Sequence, residues 1–331
     1  MMTDYRGERV LVTGAGGFIG SHLVERLIQE GARVRAFVRY NSLNDWHLLR
    51  ELPPDLLAQV EVVEGDIRDA DFVLSACDGC STIYNLAATI SIPHSYQSPF
   101  EFLQTNLIGT AHMLFASRQC RCRRIICTST SEVYGTAITT PMSESHPLSP
   151  QSPYAASKAG ADMLALSYIS SFDAPVVIVR PFNAYGPRQS ARAVIPTILA
   201  QIIAHNKVRI GEISTKRDFT FVMDTVDGFI AAGQSDGAIG EIINLGSGST
   251  ISIGDVITVA GKVMNKTPEV IIEDARLRPE KSEVRLLQAD SRKAASLLNW
   301  HPTVPFEDGL RLTAEYIASR IHRYRPLEYL R

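Results

Sequence analysis

Tyr154 and Lys158 stand four residues apart in YAASK, a spacing that puts both side chains on one face of a helix. A free phenol titrates near 10, so a tyrosine works as a base near neutral pH only where positive charge stabilises its phenolate. Lys158 is one such charge, and an oxidised nicotinamide would be another. Near the N-terminus, TGAGGFIG sets Gly14, Gly17 and Gly20 at GxxGxxG spacing, with Phe18 and Ile19 inside the turn that precedes a helix. Glycine allows a tight turn and close backbone approach to a pyrophosphate, and a helix start offers unpaired N–H groups with partial positive charge. A glycine cluster alone reads equally as a flexible turn. Here the strand RVLVT precedes it and an amphipathic helix follows, which is the context a dinucleotide site requires.

The end of the second strand selects the dinucleotide, because an acid there hydrogen-bonds the ribose 2′-hydroxyl of NAD whereas arginine pairs a 2′-phosphate. The sequence is AFVRYNSLND: no acid stands at the strand end, Arg39 does, and Asn41 and Ser42 behind it can hydrogen-bond. NADP is therefore expected ahead of NAD, with stacking on adenine as the other use of Arg39. Asp66, after EVVEGDI, is a candidate adenine contact.

These residues need a scaffold, and the chain supplies one in alternating pieces. Strands are expected at Arg9–Thr13, Arg33–Val38, Gln59–Glu64, Thr82–Leu86, Arg124–Thr128 and Val176–Arg180, with helices at Ser21–Glu30, Pro99–Arg118 and Ala155–Phe172. That alternation predicts an α/β fold, a Rossmann-type doubly wound parallel sheet with a smaller C-terminal α/β substrate domain. Residues 1–183 form the expected dinucleotide domain and 184–331 most of the substrate domain, with segments near 221–246 returning to the sheet. In the second part a helix is expected at Ile195–His205, a strand pair at Lys207–Ile213 and Arg217–Val222, and a strand at Glu241–Leu245. Tyr324–Arg331 reads as a surface tail.

Composition narrows the partners. The 331 residues carry 45% hydrophobic and 21% charged side chains, far from a disordered chain, and 33 Lys and Arg against 35 Asp and Glu leave no basic surplus for nucleic acid. No apolar run reaches membrane-spanning length and the N-terminus lacks signal-peptide order, so a cytoplasmic protein is expected. Five cysteines suit a reducing compartment. Cys77 and Cys80 form CxxC, but with no second pair at ligand spacing they are expected to be ordinary thiols, and no metal site is anticipated.

Taken in order, TGAGGFIG, GDIRD, NLAA, TNLIGT, TSTSEVYG, YAASK, RPFNAYGPRQ and RDFTFVMDTV resemble the extended short-chain dehydrogenase/reductase superfamily in its nucleotide-sugar branch. The resemblance implies a tightly bound NADP or NAD, a nucleoside-diphosphate sugar as substrate, and a homodimer packed through the YxxxK helices. It assigns Asp66, Ile67, Leu86, Ala87, Ala88, Asn106, Thr128 and Pro181 to the cofactor with the glycine turn, Tyr154 and Lys158. It assigns Asn183, Arg188, Arg217 and Arg278 to the substrate, arginine being suited to a diphosphate by its planar, permanent charge. His94 and Tyr96 are further candidates to line the sugar, with a solvated loop as the ordinary alternative.

Within the branch, Thr130, Ser131 and Glu132 resemble the sugar-nucleotide 4,6-dehydratases. Oxidation at carbon 4 acidifies the carbon-5 proton, and a base must collect it. Glu132 is that base by resemblance, Thr130 the partner of the 4-hydroxyl, and Tyr154 the acceptor of its proton. Glucose-type dehydratases carry Asp where Ser131 stands, which leaves Glu132 to shuttle the proton, as in mannose-type enzymes. RYNSLNDW, SPQSPYAASK, GPRQSARAVIPTI and RLRPEKSEV are most similar to dehydratases of GDP- or UDP-linked N-acetylglucosamine in legionaminic-type sugar pathways. A UDP-glucuronate decarboxylase and a 4-epimerase remain open. From a different class, so does a dinucleotide-sensing regulator, which would need none of Thr130, Glu132, Tyr154 and Lys158.

Overall fold

Apolar runs such as RVLVT, TIYN, RIICT and VVIVRP are buried along nearly their whole length, as strands covered on both faces must be. In the computed structural model, which describes residues 5–326 and 328, they belong to a seven-stranded parallel sheet. Its strands are β1 (Arg9–Thr13), β2 (Arg33–Arg39), β3 (Glu61–Gly65), β4 (Thr82–Asn85), β5 (Arg124–Thr128), β6 (Val176–Pro181) and β7 (Ile242–Leu245). Their spatial order is β7-β6-β5-β4-β1-β2-β3, every neighbouring pair parallel. The order reverses between β1 and β4, which opens a crevice at their carboxyl ends, the place where such sheets bind ligands.

Five helices cover the sheet: α1 (Phe18–Gln29), α2 (Ala70–Cys77), α3 (Gly109–Gln119), α4 (Pro153–Phe172) and α5 (Val222–Gln234). α1 packs beside α5 on one face, and α2, α3 and α4 pack side by side on the other, making this a Rossmann-type doubly wound fold. Helix α4 starts where Ser152 accepts a hydrogen bond from the Ala155 amide and Pro153 occupies the first turn, and it stops at Asp173 in the left-handed conformation. Three further helices, Val194–His205, Ile253–Val263 and Phe306–Ala318, pack on one another and extend the larger core. A small separate cluster, with Val133, Tyr134, Met142, Phe182 and Leu287, lies beneath the site.

Several expectations need correction. Lys207–Ile210 does not pair with the segment after Arg217 but runs parallel to Glu269–Ile272. Lys216–Arg217 pairs instead with Ile251–Ser252, and Phe219–Phe221 with Asn183–Tyr185, since alternating apolar residues specify a strand but not its partner. The helix expected at Pro99–Arg118 contains a π-helical turn at Leu103–Ile108. The surface tail begins later than expected, because Tyr324 is buried and its hydroxyl reaches the Gln189 carbonyl; Leu327 and Tyr329–Arg331 lie outside the described residues. Among the described residues no helix is long and apolar enough to cross a membrane.

Candidate active site

The glycine turn is shaped by its own crowding. Gly14 has φ +66°, and a Cβ there would lie 2.9 Å from the Ala87 amide; a Cβ on Gly20 would lie 2.2 Å from the Gly14 carbonyl oxygen. Only glycine lets the turn fold so tightly against Leu86 and Ala87. Thr13 secures this edge, accepting from the Ala87 amide and donating to Asn85 Oδ1 at 2.8 Å. Gly17 caps α1 without any side-chain hydrogen bond, which leaves the first amides of the helix, at Phe18 and Ile19, without a side-chain cap. Thr128 Oγ1, at the end of β5, is buried without a hydrogen-bond partner, an orphan that a ligand hydroxyl or amide would satisfy. A dinucleotide therefore fits the cradle.

The π-helical turn locates Asn106, whose side chain clamps Thr89 from both its amide and carbonyl and donates to Ser157 Oγ on α4 at 2.9 Å. π-Turns inside helices recur at functional sites because they re-aim one residue. Ile67 is buried against Gly109 and its carbonyl meets His112 Nδ1. Pro181, buried, ends β6. At the adenine end, Arg39 and Ser42 are exposed, whereas Asn41 is not free as expected: its carbonyl accepts from Leu43 and Asp45 and its amide donates to Asp45, closing its own loop. Asp66 is engaged by Arg68, which holds its carboxyl below the usual range, and Glu64 accepts from Trp46 Nε1.

Thr130, Ser131 and Glu132 are all buried beside α4, although the segment follows a strand end. Thr130 Oγ1 accepts from the Glu132 amide and caps the short helical turn Ser131–Tyr134. Its side chain also hydrogen-bonds Tyr154, which lowers the phenol, but burial outweighs that and pushes Tyr154 up to about 12. Lys158 was expected to supply the stabilising charge. Its ammonium donates to the Thr128 carbonyl, two residues before Thr130, and Thr130 is the group that hydrogen-bonds the phenol. A helical i, i+4 spacing places two side chains on a face; which way a four-carbon stem turns is set by the acceptors around it.

On the substrate side, Asn183 Oδ1 is buried without a hydrogen-bond partner, an acceptor that a ligand hydroxyl or amide would satisfy. Arg217 is 6% exposed, donates to Glu283 Oε1 at 3.0 Å, and feels the charge of Glu132. Arg278 approaches the same carboxylate at 3.6 Å, so one acid gathers two arginines from separate segments. Asp218 explains why Arg217 stays put: its buried carboxylate accepts from the amides of Ser247, Gly248 and Ala289. Arg188 pairs through Nη2 with Glu25 on α1 at 2.8 Å, while its Nη1 is buried without a hydrogen-bond partner. Tyr96 holds Ser282 at 2.6 Å, and His94 pairs with Glu101. Glu283, Asp218 and Asp162 were missed from sequence; Glu283 and Asp218 sit inside the SEV and RDF segments, where their only signal was adjacency to the arginines.

The fold also brings Cys120 and Cys122 to Cys77 and Cys80, a meeting the spacing did not reveal. Burial raises all four thiols, which keeps them protonated and unreactive, and no metal-binding group of three or more occurs among the described residues.

With the geometry established, comparisons with known proteins give concordant results. The family model for GDP-mannose 4,6 dehydratase matches residues 11–313. The chain is 32% identical to a UDP-glucose 4-epimerase of Mycolicibacterium smegmatis, covering 94% of this chain and 99% of the relative. It is 31% identical to the mouse dTDP-D-glucose 4,6-dehydratase, covering 97% and 92%. Among solved structures, TunA, an NAD-dependent NDP-hexosamine 5,6-dehydratase of tunicamycin biosynthesis, superposes with TM-score 0.84 at 30% identity, covering 95% of this chain and 98% of that one. The dTDP-glucose 4,6-dehydratase DesIV of Streptomyces venezuelae, with NAD and TYD bound, gives TM-score 0.85 at 27% identity, covering 97% and 100%.

Proposed function

We infer that this chain, which belongs to the GDP-mannose 4,6-dehydratase family of nucleotide-sugar dehydratases and epimerases, is a 4,6-dehydratase of GDP- or UDP-linked N-acetylglucosamine. The observation that carries the reading is Glu132, an acid only 8% exposed whose charge is felt by both Tyr154 and Arg217. An epimerase needs only hydride transfer, whereas elimination needs a second base at the sugar ring. The hexosamine named for TunA supports an amino-sugar substrate.

A bound nicotinamide supplies the acceptor, and later the donor, of one hydride. The rest falls to the chain's own side chains. Thr130 orients the 4-hydroxyl and Tyr154 takes its proton. Glu132 removes the proton on carbon 5 and, with Ser131 too weak an acid to help, delivers a proton to the hydroxyl leaving carbon 6 as water. Arg217 and Arg278 hold the diphosphate, and Asn183 gives the sugar its unmatched carbonyl oxygen. Named neighbours use NAD; Arg39, exposed at the acid-free end of β2, favours acceptance of NADP as well. Ile108 and Phe115 on the helix leading into and through α3, and Met163 on α4, are apolar and exposed, which supports a homodimer built on this layer.

Mass spectrometry of products from a panel of UDP- and GDP-linked hexoses, N-acetylhexosamines and glucuronate, with NAD or NADP, tests the reading. Loss of one water from an N-acetylglucosamine nucleotide is expected, and Glu132→Gln should abolish it while dinucleotide binding persists. Loss of carbon dioxide from glucuronate, or a product of unchanged mass, would move the assignment to decarboxylase or epimerase. No conversion at all would favour the sensing regulator.

A further inference from the structure

Behind the catalytic face, α4 carries one more acid in the same register as Tyr154 and Lys158. Asp162 lies one helical turn beyond Lys158 and is 3% exposed. Its Oδ2 accepts from Ser129 Oγ at 2.8 Å and from Arg180 Nε at 2.9 Å, and Arg180 is itself 1% exposed. Arg180 Nη1 continues to the Tyr134 hydroxyl at 2.9 Å, which donates to Asn244 Oδ1 at 2.8 Å. Ser129 sits between Thr128, whose carbonyl receives the Lys158 ammonium, and Thr130, which hydrogen-bonds Tyr154. One carboxylate thus reaches both partners of the tyrosine-lysine pair.

We propose that Asp162 is a positioning residue for this pair, supplying the negative charge behind the Lys158 ammonium and pinning Thr128–Thr130 through Ser129. Burial disfavours the charged forms of Lys158 and Asp162 alike, and each stabilises the other's charge. The charged and titratable groups around Lys158 are few. Asp162 shares its helix, Cys127 faces it from β5, and Arg180 stands on β6 behind Asp162. Glu132 and Tyr154 lie at the mouth, and the His94–Glu101 pair belongs to the helices packed on α4. Asp162 is the only one of these carboxylates acting on Lys158. A carboxylate serving Arg180 alone would leave the titration of Lys158 indifferent to its removal.

The proposal rests on the dehydratase reading for its catalytic consequence, and two readouts separate them. In the full-length protein with dinucleotide supplied, Asp162→Asn should move the alkaline limb of the kcat–pH profile down by about one unit, the scale of a nearby opposite charge, with KM changed less than about twofold; Asp162→Glu should restore most of it. In [ε-13C]lysine-labelled protein, the Lys158 resonance, assigned by its loss in Lys158→Met, should titrate lower by a similar amount without any sugar nucleotide. Because Asp162→Asn leaves a buried guanidinium unpaired, the double variant Asp162→Asn/Arg180→Leu removes the pair together and should show the same shift. A wild-type titration of Lys158 in a folded variant overturns the assignment, whatever the turnover. Failure of every sugar nucleotide to react would overturn the dehydratase reading and leave the lysine measurement decisive for Asp162.

Discussion

The glycine turn and the arginine cluster are each suited to phosphate, and they are made of opposite materials. At Gly14–Gly20 the groups that can reach an anion are backbone amides at the start of α1, all within one strand-turn-helix unit. At the other end the groups are guanidiniums from Arg217 and Arg278, brought together by Glu283 and anchored by Asp218. Backbone cannot be substituted, so the turn tolerates only residues that leave it room. The cluster tolerates changes in its frame but depends on particular charged side chains. A site of the first kind writes itself into a short motif, and one of the second kind is scattered along the chain.

Substitutions can break this contrast. The largest effect is expected for Gly20→Ala, whose methyl would press on the Gly14 carbonyl from 2.2 Å. Dinucleotide affinity, read by isothermal titration, should fall about 100-fold or more, roughly 3 kcal/mol; normal affinity would show that the turn has slack and undo the backbone argument. Arg217→Ala should raise KM for the sugar nucleotide about 30-fold, the scale of hydrogen bonds to a charged group, while dinucleotide affinity stays within about twofold. A fall in kcat with KM preserved would instead tie Arg217 to Glu132 rather than to phosphate. The smallest effect is expected for Arg39→Ala, an exposed cation whose loss should shift the NADP to NAD preference toward NAD by about fivefold, as surface charge pairs do. An unchanged ratio of dissociation constants would leave Arg39 as a surface or stacking residue only.

How much was legible follows the same division. The parallel sheet could be read from buried apolar runs alternating with helices, because both periodicities are local. The π-turn at Leu103–Ile108 could not, since its six residues have ordinary helical composition and only the meeting of Asn106 with Thr89 and Ser157 selects it. Pairing of the short strands was misread at Lys207, where an apolar pattern cannot name its neighbour. Arg188 was grouped with the substrate by its place in the loop of Asn183, and the ion pair of its Nη2 with Glu25, on a helix remote in sequence, could not be read from the chain.

From the chain alone came the glycine turn, the tyrosine and lysine on one helical face, the acid at Glu132 and the strand-helix rhythm that places them at the carboxyl ends of the strands. These depend on interactions between residues close in sequence, which residue type and spacing encode directly. The tertiary structure alone decided where the Lys158 ammonium turns, that Thr130 hydrogen-bonds the phenol, and that Asp162, Glu283 and Asp218 hold the working residues in place. Each of those is a competition among donors and acceptors from distant segments, and which partner wins depends on burial and distance that exist only once the chain has folded.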